Sequence, residues 1–162
     1  KKYFWRFELM RMPSQVLVLP YKIINRELYL IILKRNDMDV WQWIAGGVEE
    51  NETIRDAALR EAKEEIGIQD ENFVLIELDS KCSIPKFYFK DMEAWPKDLY
   101  VITEHAFAIK LDAKSEIAIS DEHCAHELIN YKELVNFKTW DSNRTAAWEL
   151  YCRLLNKGFI SR

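Results

Sequence analysis

An α/β fold is predicted by three observations. Stretches of alternating or continuous apolar residues of strand length occur at Gln15–Ile24, Leu28–Leu33 and Tyr100–Leu111. Two stretches carry helical periodicity, Ile54–Ile66 and Asn143–Asn156. With 162 residues, 49% of them hydrophobic, the chain can bury one core, and two amphipathic helices with one apolar face each are expected on opposite sides of a mixed sheet. Residues 13–162 form this single domain, preceded by an extension, residues 1–12, rich in aromatic and basic residues and lacking an initiator Met, for which a partly foreign origin, an edge strand, a partner contact and a frayed arm are open readings.

The first two strands flank the polar turn Asn25-Arg26-Glu27 and should form a hairpin. Lys34 and Arg35 close the second strand, where Arg35 is a candidate phosphate contact set against the commoner solvated strand-end base. Trp41-Gln42-Trp43 leads into Ile44-Ala45-Gly46. Trp41 is a candidate pocket wall, although core packing is the ordinary role of a Trp.

Thr53 followed by Asp56 gives a capping-box start to the first helix, and Gly67 stands where a left-handed stop belongs. Ile54, Ala58, Ala62 and Ile66, with Leu59, make its apolar stripe. After it, Asn72–Leu78 reads as a strand and Lys81–Trp95 as an irregular, aromatic stretch. Phe87 there is a candidate for stacking on a ring and equally a strand core residue. His105 reads as a satisfied core histidine. In the second helix Asp141-Ser142 should cap, Ala147, Leu150, Tyr151, Leu154 and Leu155 should face inward, and Gly158 should end it.

Cys82, Cys124 and Cys152 are widely spaced and without a Cys-x-x-Cys pair; they read as packing residues of a reduced, cytoplasmic protein. No apolar run is long enough to span a bilayer and no signal peptide is recognised, so a membrane role is not expected. A net charge of −4 argues against a nucleic-acid polymer as partner, leaving a small molecule, with the oligomeric state open.

The chemistry concentrates between Gly46 and Ile68. Glu61, Glu64 and Glu65 stand at i, i+3 and i+4 on a helix, so their carboxylates gather on one exposed face at a cost in repulsion that a cation would relieve. Gly46 and Gly47 permit close approach of backbone to an ion, and Asn51 tolerates positive φ before Glu52. Hard oxygen ligands suit Mg²⁺, with Mn²⁺ as second choice, and imply attack of water on phosphorus. His123, Cys124 and His126 in SDEHCAHE suggest zinc less well, because four ligands at a familiar spacing are missing.

Gly46, Glu52, Arg60, Glu61, Glu64, Glu65, Gly67 and Ile68 resemble the Nudix box, G-x5-E-x7-R-E-U-x-E-E-x-G-U with U aliphatic. Ala62 is small for the first aliphatic slot, and Asn51 stands where relatives usually carry Gly. The resemblance implies a Nudix-type α/β/α sandwich and hydrolysis of a nucleoside diphosphate linked to another group. It further implies metal binding by Gly46, Glu61, Glu64 and Glu65, a helper role for Glu52, and an orienting role for Arg60. A downstream loop acid joins the metals or acts as base in several branches; Glu122 holds that place here, with Glu127 as the alternative. Trp41-Gln42, Glu122-His123 and Trp140–Arg144 look like the branch that hydrolyses dihydroneopterin triphosphate or deoxynucleoside triphosphates, which makes Arg144 and Lys86 candidate ligand contacts. ADP-ribose, dinucleoside polyphosphates or sugar nucleotides are alternative substrates. Further readings are a nucleotide-sensing domain without catalysis and a structural protein whose acidic helix is incidental.

Overall fold

The computed structural model describes residues 9–68 and 73–162. Seven strands, β1 (Arg11–Ile24), β2 (Glu27–Arg35), β3 (Trp41–Gln42), β4 (Ile44–Glu49), β5 (Val74–Pro85), β6 (Val101–Lys110) and β7 (His123–Asn130), form one sheet. The helix α1 (Ile54–Ile66) lies between β4 and β5 in the chain, and α2 (Asp141–Asn156) closes it. The sheet is mixed: β1 pairs parallel with β6, while the β1–β2, β1–β4, β2–β3, β2–β7 and β5–β6 pairs are antiparallel.

The long β1 is the organising strand. Its C-terminal end pairs with β2, its N-terminal part with β4, and its other edge with β6. Successive β1 side chains point to opposite faces. Val16 and Val18 pack with Ala58, Ala62 and Ile66 of α1, whereas Leu17, Leu19 and Tyr21 pack with Ala147, Leu150 and Leu154 of α2. Both faces are therefore covered, giving the α/β/α sandwich expected from two one-sided helices. Asn25 and Arg26 have φ of 51° and 62°, the two-residue hairpin turn whose twist suits the flanking strands.

α1 starts at the capping box formed by Thr53 and Asp56 and stops at Gly67, whose φ is 63°. Its last carbonyls are also used: Ala118 N–H donates to Ile66 and Ser120 N–H to Glu65, so the segment before β7 is tied to the helix end. Buried Lys22 secures the same segment from the sheet, donating to the carbonyls of Ala113 and Ser115 at 3.1 and 2.8 Å.

Four expectations need correction. β5 continues to Pro85, through the start of the stretch expected to be irregular; Lys81–Pro85 pair with Val101–His105, and only from Lys86 do 3₁₀ turns begin. β7 has no counterpart in the sequence reading because its side chains are mostly polar and exposed, as an edge strand's are. α2 begins at Asp141 itself, with Trp140 before it accepting from the Asn143 and Arg144 N–H groups and no side chain capping. Cys124 is exposed and His105 only half-buried, so neither is a core residue. Residues 11 and 12 of the expected extension already belong to β1, whereas residues 1–8 and Asn72 of the fifth strand lie outside the described residues.

Candidate active site

The site forms where β4, the turn after it, α1 and the segment before β7 meet. β4 runs directly into the turn at Glu50–Asn51, with Asn51 at a φ of 64°, and α1 then carries the glutamates. Arg60 fixes this corner. Its Nε and Nη2 donate to the two oxygens of Glu52 at 3.1 and 2.6 Å, Nη2 also reaches the Gly47 carbonyl at 2.8 Å, and Nη1 donates to Glu61 Oε1 at 2.8 Å. Glu64 lies at 3.4 Å and Glu49 at 3.7 Å from the same guanidinium. Partial burial pushes Glu52 upward, but the Arg60 hydrogen bonds prevail and hold it below the usual carboxylate range. The same pairing, with Glu52 first, raises Arg60.

Glu61 occupies the space a side chain at Gly46 would need: a Cβ there would lie 2.0 Å from its carboxyl carbon. Burial, and then the charges of Glu64 and Glu122 against the opposing pull of Arg60, leave its carboxyl titrating at about 7. Glu65 departs from the sequence expectation of an exposed carboxylate. It is 3% exposed, and desolvation followed by the charges of Glu61 and Glu122 pushes it up to about 9. Glu122 is its hydrogen-bonding neighbour, yet Glu65 Oε2 has no partner, and buried His123 faces it with Nε2 at 3.7 Å. Desolvation holds His123 below the normal histidine range, so the neutral ring does not discharge the cluster.

Glu61 and Glu65 thus share one desolvated corner, with Glu122 and Glu64 on its open rim. Raised carboxyls, an orphaned buried oxygen and hard donors are what a divalent cation would satisfy, so the residues fit such an ion. Among the described residues no three side chains already converge as a finished ligand set. Glu61 is turned toward Arg60, so binding calls for side-chain rotation. In SDEHCAHE no three ligating side chains converge among those residues either; His126 and Glu127 are exposed along β7.

The remaining candidates lie around this corner or apart from it. Arg35 ends β2 opposite His123 and pairs with Asp37, its Nε donating at 2.7 Å. Trp41 packs edge-on against Phe137 with centroids 5.2 Å apart, and Trp43 is fully buried, bonded to Asn143. Phe87 is 67% exposed and lies against Tyr88. Arg144 donates to the carbonyls of Leu134 and Phe137, and Lys86 to those of Pro96 and Lys97, so both hold backbone.

Three residues near the site were not singled out from the sequence. Arg11 lies over the Phe89 ring and against Gly47 and bonds Gln15, and Glu104 is buried beside Gln15. No spacing signals them, because Arg11 and Gln15 lie on β1 and Glu104 on β6, and only the parallel β1–β6 pairing brings them together.

The NUDIX domain model matches residues 15–149. Dihydroneopterin triphosphate diphosphatase of Escherichia coli (strain K12) is 30% identical over 136 residues, covering 83% of this chain and 89% of that protein. RNA pyrophosphohydrolase of Campylobacter jejuni (strain 81-176) is 34% identical over 100 residues, 60% of this chain and 61% of that one. Among solved structures, a Nudix hydrolase from Listeria monocytogenes superposes with a TM-score of 0.80 at 37% identity, covering 93% of this chain and all of the other. The E. coli dihydroneopterin triphosphate pyrophosphohydrolase gives 0.72 at 27%, covering 90% and 99%. With the box residues gathered at one corner and the domain match spanning most of its length, this chain belongs to the Nudix family and is a hydrolase acting on phosphoric anhydride bonds.

Proposed function

We propose that the chain is a Mg²⁺-dependent pyrophosphohydrolase of small triphosphates, with dihydroneopterin triphosphate or a deoxynucleoside triphosphate as substrate, working in the cytoplasm. The observation that carries this reading is the unpartnered Oε2 of buried Glu65 among Glu61 and Glu122. The similarity to the E. coli dihydroneopterin triphosphate enzyme over most of both chains supports the substrate class. The similarity to RNA pyrophosphohydrolases covers less of each chain, and the net charge of −4 does not favour a polymer.

In this reading Glu61, Glu64 and Glu65, with the Gly46 carbonyl, hold the cation, and Arg60 with Glu52 keeps the Glu61 carboxyl against the β4 backbone. A bound divalent ion supplies charge neutralisation at the phosphate oxygens and a more acidic water. Glu122, exposed at the rim and within reach of Glu65, takes the proton from the attacking water, with Glu64 as the other base within the cluster. Arg35, at the end of β2 opposite His123, would meet the distal phosphates on leaving its pair with Asp37.

The test is release of pyrophosphate or phosphate from dihydroneopterin triphosphate, the four deoxynucleoside triphosphates, ADP-ribose and diadenosine polyphosphates, with and without Mg²⁺. Metal-dependent cleavage of the simple triphosphates is expected, lowered about 10²-fold or more by Glu65→Gln. Preferred cleavage of ADP-ribose or dinucleoside polyphosphates would overturn the substrate assignment, and cleavage unaffected by chelation would overturn the metal assignment.

A further inference from the structure

Glu104 is a buried carboxylate that the hydrolytic corner does not use. It sits on β6, 7% exposed, and forms no salt bridge among the described residues. Its side-chain partner is Gln15. The Gln15 carbonyl accepts from Arg11, which leaves the Gln15 amide NH2 free to donate, and Glu104 faces Gln15 in the β1–β6 register. A carboxylate left this dry is costly unless something completes its hydrogen bonding. Burial moves its titration up to about 7, so near neutral pH a donor-bearing ligand decides whether it is ionised.

Glu104 lines a cleft on the α2 face of the sheet. Leu17 and Ala106 form its apolar floor, while Cys82, Lys81 and the first turns of α2, through Ser142 and Thr145, form its walls. The cleft, about 60 Å³ and open to solvent, takes a few waters or the polar edge of one ring. Register ties the cleft to the hydrolytic corner: Cys82 faces Glu104, Glu104 faces Gln15, and Gln15 faces Gly47, whose carbonyl binds Arg60. Two strand spacings, about 10 Å, therefore separate Glu104 from the box strand. Arg11, which donates to Gln15, also feels the charges of Glu61 and Glu122, so a triphosphate held at the glutamates that bends past Arg11 reaches this side with its ring.

We infer that Glu104 selects the ring of the substrate, its carboxylate accepting both N–H bonds from the 2-amino-4-oxopyrimidine edge that guanines and pterins share. That edge places a ring N–H beside an exocyclic amino group, two parallel donors matching the two carboxylate oxygens. Adenine presents a ring acceptor and a C–H at those two positions, and hypoxanthine lacks the amino group. Lys81 at the wall gives the alternative that Glu104 merely meets a lysine; in that case it would not tell one base from another. The inference rests on the triphosphate hydrolase reading above and adds the class of ring.

Steady-state kinetics with dGTP, dITP and dATP on wild type and Glu104→Gln test it. Wild type is expected to show a kcat/KM for dGTP about 10- to 100-fold above that for dITP, mostly through KM, as one bidentate contact confers. Glu104→Gln is expected to remove that ratio. Equal kcat/KM for dGTP and dITP in wild type overturns the inference without any variant, so a folding defect cannot mask it. An equal loss on all three nucleotides in Glu104→Gln overturns it as well. Calorimetric titration with dGMP and dIMP, without metal or turnover, separates this failure from failure of the hydrolytic reading. Tighter dGMP binding that Glu104→Gln abolishes upholds the ring site even if no triphosphate is cleaved, and equal binding sinks it even if all are.

Discussion

Glu65 holds the least favourable charge of the hydrolytic corner, because desolvation and two neighbouring carboxylates act on it together and one of its oxygens finds no donor. Glu65→Gln removes the charge and keeps the shape. Turnover is expected to fall by about 10²-fold or more, since charge neutralisation at the phosphorus goes with the ion; loss of Mn²⁺ binding followed by electron paramagnetic resonance would separate this from misfolding. Gly46→Ala approaches the same point from the backbone. Its Cβ would fall 2.0 Å from the Glu61 carboxyl carbon, so Glu61 must leave its place beside Arg60, and weaker Mn²⁺ binding with an unchanged far-ultraviolet spectrum is expected. Wild-type affinity in Gly46→Ala would show that the Glu61 position is immaterial. These residues were legible in the sequence because the box puts them within 23 consecutive positions. The burial of Glu65 was not, since it depends on Ser120, Glu122 and His123, which the chain brings back from far downstream.

At the scale of elements, local chemistry was read well where it is local. α1 has both its bounds where Thr53, Asp56 and Gly67 place them. The strand β5 was harder, because its register slips between Glu77 and Lys81 and breaks the alternation. The break is held from across the layer: Glu149 of α2 accepts from the Asp79 and Ser80 N–H groups at 2.7 Å each and from Ser80 Oγ at 2.6 Å. Burial pushes Glu149 upward, but these bonds and Arg153 prevail and hold its carboxyl below the usual range. Glu149→Ala would strip the irregular stretch of its acceptor and is expected to cost about 1.5–3 kcal/mol in urea unfolding. A depressed carboxyl contributes stability that is present above its unfolded value and is lost as pH falls through its folded one, so the deficit of Glu149→Ala should shrink under acid. A deficit constant down to pH 3 would mean the charge is irrelevant. The hairpin turn offers the opposite sign. Arg26 holds a φ of 62° that glycine adopts without strain, and Arg26→Gly is expected to stabilise by about 0.5–1 kcal/mol.

Across the whole molecule the sheet sets two sets of buried carboxylates on one rung, the glutamate corner at β4 and α1 and Glu104 on β6, with Gln15 between them in register. Glu61, Glu65 and Glu104 all titrate high, at about 7, 9 and 7. The sign follows from linkage. Between about pH 4.5 and these values the folded chain keeps protons that the unfolded chain has released, so their contribution to stability is greatest at low pH and declines as pH rises. In a chelator, the melting temperature is therefore expected to fall between pH 6 and pH 9, against the usual acid loss seen at lower pH. Mg²⁺ should flatten that slope by taking the place of the protons at Glu61 and Glu65, and should leave the part due to Glu104, which lies outside the hydrolytic corner. Glu65→Gln should reduce the slope without metal, Glu104→Gln should reduce it further, and the double variant should show close to the sum because the two sites share no partner. A melting temperature that rises steadily to pH 9 in chelator would show that these carboxyls are solvated in solution.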